Sequence, residues 1–116
     1  MRAILIDPAK QTITEVDYDG NWTSISTHID CTTFASAVVF ENEDTLYIDD
    51  EGLWGATHFF RIEGYPDPLA GRGLILGTNE DGESIAAKSD IEALGIHFVI
   101  PIQFPDSGHM TWMRVA

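Results

Sequence analysis

No apolar run in this 116-residue chain is longer than about five residues, and turn-forming residues interrupt the runs throughout. That punctuation is the strongest constraint on the fold. A membrane-crossing helix needs roughly 20 apolar residues in succession, so none is expected. Short apolar or alternating segments separated by Pro, Gly, Asn and Asp suit an antiparallel sheet joined by tight turns.

Read along the chain, Arg2 to Asp7 is an apolar strand stopped by Pro8, and Thr12 to Tyr18 returns to complete a first hairpin. Asp19-Gly20-Asn21 carries turn and N-cap chemistry, and Trp22, Ile25 and Ile29 follow at helical spacing, predicting a short amphipathic helix over 21–29. Thr33–Phe40 and Thr45–Ile48 flank the polar turn Glu41-Asn42-Glu43-Asp44 as a second hairpin. Leu53–Gly55 is irregular, Phe59–Ile62 is a strand, and the two prolines in 64–68 make a loop. Gly73–Gly77 reads as a glycine-bounded strand, and Glu83–Ala87 returns beside it after the turn at 79–82. Ser89 and Glu92 form a capping box ahead of Gly95, predicting a second short helix. Ile96–Ile102 is a strand that tolerates Pro101 near its end, and the apolar tail 104–116 is expected to pack on the core or on a second copy. There is no internal repeat or linker. The expectation is an α+β fold over residues 1–116 as one domain: a mainly antiparallel sheet with two short helices.

The charge is unusual. Nineteen acids against six bases give a net charge of −13, with eleven acids and two bases in residues 1–58 and eight acids and four bases in 59–116. Such a field favours basic partners and disfavours direct contact with nucleic acid or anionic membranes. The plainer explanation is that acidity keeps a small protein soluble.

Patterns that carry chemistry fail at named positions. His28, His58, His97 and His109 lack metal-ligand spacing, and the single cysteine, Cys31, has neither a disulfide partner in the chain nor a nucleophile signature around it. The acidic turns before Gly52 and Gly82 lack the first calcium ligand, and His58 and Lys88 stand where the bidentate glutamate is needed. No serine lies in a nucleophile elbow. No catalytic residue, metal or cofactor is therefore assigned. The glycine-rich stretch 68–77 is not a phosphate loop, yet Gly71 and Gly73 would let backbone amides approach a ligand and Arg72 offers a planar fork to an anion. Its plainer reading is a turn into a strand, with Arg72 paired to a nearby acid.

The opening ILIDP and ITEV, the central LYIDDEGL, and FRIEGYPDPLAGRGLILG with the short helix and strand after it resemble a family of small domains of unknown function. Phages, plasmids and other mobile elements encode that family, and the likeness spans about residues 3–100. The resemblance implies an accessory gene product of a bacterial cytoplasm and supplies no catalytic residue. In that context the charge suggests a non-enzymatic inhibitor of a basic host factor, such as a defence nuclease, acting by nucleic-acid mimicry. Glu41, Glu43, Asp44, Asp49, Asp50 and Glu51 are the expected contact residues. The alternative is a module that binds or sequesters a nucleotide at Gly71, Arg72 and Gly73. A homo-oligomer formed through the C-terminal tail fits either.

Overall fold

The computed structural model describes residues 1–51, 57–65, 67–103 and 110–114. Arg2–Asp7 (β1) and Thr12–Asp17 (β2) form the expected first hairpin, paired from Arg2↔Asp17 to Asp7↔Thr12. The helix Thr23–Ile29 (α1) follows, and then the second hairpin, Phe34–Val39 (β3) and Thr45–Asp49 (β4). Phe59–Ile62 (β5) and the two-residue Leu69–Ala70 (β6) precede Gly73–Thr78 (β7) and the short Ser84–Ile85 (β8). Ile96–Gln103 (β9) and Met110–Arg114 (β10) close the described chain. One sheet runs β2-β1-β7-β4-β3 with β8 on the end of β7, and the other runs β10-β9-β5-β6. Every described pairing is antiparallel.

The layers follow from how the strands divide their side chains. Successive residues of a strand point to opposite faces. On β1 and β7, Ala3, Leu74 and Leu76 pack with Tyr18, Ile25 and Ile29 under α1, while Ile4, Ile6 and Ile75 join Leu46, Phe60 and Ile62 between the sheets. Both faces of the central strand are covered, which is why Gly73–Leu76 reads as an unbroken apolar run rather than an alternation. Gly73 leaves no room for a side chain between the sheets: a Cβ there would lie 2.8 Å from Leu46 Cδ1 and 3.0 Å from Phe60 Cζ.

The second predicted helix is corrected. Residues 91–94 form a single 3-10 turn, capped by Asp90, whose Oδ1 accepts from the Glu92 amide, and ended by Gly95 at φ 63°. Ser89 does not act as the cap, because its hydroxyl donates to the buried Asp44 carboxylate instead. The first helix forms but begins at Thr23, leaving Trp22 67% exposed beside Phe34 rather than on the apolar face. Of the expected return strand 83–87, only Ser84–Ile85 pairs with β7. Beyond it the chain passes so close over Gly77 that a Cβ there would meet the Ala86 carbonyl oxygen at 2.5 Å. Pro101 lies past Val99, the last residue of β9 that β5 pairs, so its missing N–H breaks no β5 ladder bond. The tail places β10 against β9 and packs Trp112 edge-on to Phe59 at 4.8 Å, while 104–109 and 115–116 lie outside the described residues, as does the irregular segment expected at 53–55.

Candidate functional site

The six acids singled out from the sequence do not share one surface. Glu41 and Glu43 lie in the turn before β4, and Asp49, Asp50 and Glu51 lie at and beyond its other end. At ~3.3 Å per strand residue the two groups stand roughly 20 Å apart. Asp44 leaves the set altogether. It is 0% exposed, and its carboxylate accepts from the Lys88 amide at 2.9 Å, the Ser89 amide at 2.7 Å and the Ser89 hydroxyl at 2.6 Å. Three donors satisfy this anion where water is excluded, as buried charge requires. Asn42 completes the clamp, accepting from the Asp44 amide and donating to Ser89 Oγ.

The topology gathers a different group. The register aligns the end of β2, the start of β1, the end of β7 and the start of β4 along one margin of the sheet. Asp17 ends β2 at that margin, and the turns leaving it carry Asp19 after β2, Glu80, Asp81 and Glu83 after β7, and Glu41 and Glu43 before β4, all of them exposed. With strands ~4.8 Å apart, the row is roughly 15 Å wide. Asp17 is paired with the N-terminal ammonium at 2.9 Å, and Arg2 is occupied by Glu15 and by the Ala87 and Ser89 carbonyls. The Ser24 hydroxyl, and after it the Asn21 amide, hold Asp19 below the ordinary carboxylate range, so it stays anionic. The sequence shows the acidic turns but not that three of them share a margin, because that follows from β7 being inserted between β1 and β4.

The glycine stretch is occupied structurally. Gly71 takes φ 74° and donates its amide to the His58 carbonyl at 3.0 Å. Arg72 Nε lies 3.5 Å from Oδ2 of the buried Asp7, the pairing its plainer reading anticipated. Gly73 to Gly77 belong to β7 and are buried, with partners on β1, β4 and β8. Gly71, Arg72 and Gly73 are thus a turn and a packed strand start, and the stretch is no open loop presenting its amides.

Among the described residues, no three or more His, Cys, Asp or Glu converge to hold a metal. His28 lies beside Tyr18, His58 Nδ1 contacts Thr57 Oγ1 at 2.8 Å, and His97 stands opposite Arg61 across β9 and β5. His109 is outside the described residues. Cys31 is half-buried, and burial first, then the field of Asp49, pushes its thiol up. No described helix is long and apolar enough to cross a membrane.

These features define a two-sheet, mainly antiparallel α+β domain with acidic turns along one sheet margin. By sequence the chain belongs to the DUF3846 family, a domain of unknown function whose profile matches residues 1–98. No curated protein and no solved structure matches the chain.

Proposed function

We propose that this protein is a non-enzymatic binding protein whose acidic sheet margin engages a basic partner. The observation that carries the reading is the row of exposed carboxylates from Asp19, Glu41, Glu43, Glu80, Asp81 and Glu83, leaving three turns on the same side of one sheet. A rigid sheet fixes the spacing of these groups, so the charge is presented in a preset pattern rather than spread over a flexible tail. A groove built to bind phosphates gains much of its affinity from charge, and a fixed row of carboxylates competes for the same lysines and arginines. The partner class is therefore a basic nucleic-acid-binding protein of a bacterial host, such as a defence nuclease. The origin is a phage, plasmid or other mobile element, and the site of action is the cytoplasm.

The test is affinity capture from host lysate with the purified protein as bait. The reading expects a basic partner that is released by added salt and displaced by duplex DNA. A partner insensitive to both, or no basic partner at all, overturns it.

A further inference from the structure

The outer face of the second sheet runs against the charge of the rest of the molecule. Arg61 on β5, His97 on β9 and Arg114 on β10 line one pocket of about 290 Å³, which also takes in Tyr65 and Trp112. Register explains the convergence: Arg61 pairs with His97, and Arg114 pairs with Val99, two residues along the same face of β9. Phe59, Val99 and Trp112 form an apolar cluster at one end of this face. Two of the chain's six bases are thus spent on one pocket in a molecule of net charge −13. The single acid among the lining residues, Glu63, lies against Gly95.

We infer that this pocket binds a small phosphorylated aromatic molecule of the nucleoside monophosphate class. Each of three properties of the site selects one property of the ligand. Two guanidinium forks complement a phosphate, which each can meet with paired N–H donors. Arg61 also engages a neighbour within the chain, and a guanidinium carries five N–H donors. Trp112 offers ring surface to a planar base, the interaction by which proteins hold bases irrespective of their identity, while the Tyr65 ring beside it is packed edge-on to Phe40. The volume, at the small end of the range of ligand pockets, admits one nucleotide and little more. The overall negative field repels a polyanion far more than a ligand of one or two charges, which favours the mononucleotide over a nucleic-acid strand. Gly71 and Arg72 do not line this pocket, and their groups are committed to the fold. The pocket shares no lining residue with the acidic margin, although Tyr65 packs on Phe40, the neighbour of Glu41, so the two can be altered separately.

The experiment is a titration of the full ¹⁵N-labelled chain with adenosine 5′-monophosphate, followed by amide chemical shifts. Adenosine, inorganic phosphate and a ten-residue oligothymidylate are titrated in parallel. Saturable shifts confined to 61–65, 97–99 and 112–114 are expected, with adenosine and phosphate each at least about tenfold weaker than the monophosphate. Arg61→Ala/Arg114→Ala weakens binding by about tenfold or more, the effect expected on losing charge-assisted hydrogen bonds, whereas Arg72→Ala leaves it unchanged. If the double variant loses the dispersed spectrum of a folded sheet, Arg114→Ala alone, at an exposed position of an edge strand, carries the same comparison with a loss of several-fold. Absence of saturable shifts, shifts centred elsewhere, adenosine binding as tightly as its monophosphate, or preference for the oligonucleotide each overturn the inference.

Discussion

Asp44 and Ser89, 45 residues apart in sequence, are joined by two hydrogen bonds of 2.6 and 2.7 Å from the serine hydroxyl and amide to one carboxylate oxygen. This contact ties the turn before β4 to the segment that leaves β8. Asp44→Ala strands three donors, two of them buried, and is expected to cost about 3 kcal/mol, measured as a drop in urea-unfolding free energy. A cost below 1 kcal/mol would show that the segment is held by other means.

Tyr18 is the opposite case. It is 1% exposed among Ala3, Ile25, Ile29, Leu74 and Leu76, and its hydroxyl has no hydrogen-bond partner among the described residues. Burial raises its pKa, and nearby Ser84 opposes that shift without reaching hydrogen-bond geometry. Tyr18→Phe removes an unsatisfied polar atom and keeps the ring, so it is expected to leave stability unchanged or raise it by up to about 1 kcal/mol. Thermal unfolding checks this, and a clear loss would reveal a partner for the hydroxyl.

Gly73→Ala forces a methyl against Leu46 and Phe60 between the two sheets. Overpacking of this kind costs about 1–3 kcal/mol. Gly71→Ala has open space for its Cβ but sits at φ 74°, so its smaller cost comes from backbone strain alone. Paired denaturation curves distinguish the two, and an equal cost would contradict the packing argument.

The Cys31 thiol is raised by burial and then by Asp49. An acid whose folded pKa lies above its unfolded value favours the fold fully below the unfolded pKa, about 8.5 for a thiol. That contribution is lost as pH rises through the folded value. Alkylation by iodoacetamide at pH 8.5 is therefore expected to be several-fold slower in the folded protein than in urea. Equal rates would place the thiol in open solvent.

Much of the fold was legible because local signals agree with it. Asp7-Pro8, the polar turn 41–44, the turn at 79–82 and Gly95 all mark element ends that the structure keeps. The capping box was misleading because its serine is recruited by Asp44, a tertiary contact that local spacing does not encode. The acidic group was misplaced for a related reason: six acids within eleven residues are neighbours in sequence, but a five-residue strand separates them in space. Conversely, Asp19, Glu41 and Glu80 are far apart in sequence and share a margin only through strand order. The Arg61–His97–Arg114 face is not legible in the sequence because its three residues meet only through the register of three strands.

The acidic margin is proposed here as the binding surface. Its most direct test compares the dissociation constant of the captured partner for two charge-reversed proteins. One carries Glu41→Lys, Glu43→Lys, Glu80→Lys and Asp81→Lys at the margin, and the other Asp49→Lys, Asp50→Lys and Glu51→Lys at the far end of β4. The first is predicted to bind at least about a hundredfold more weakly, roughly 2.7 kcal/mol, and the second to bind within a few-fold of the unaltered protein. Equal weakening by both sets, or none by the first, would contradict the claim.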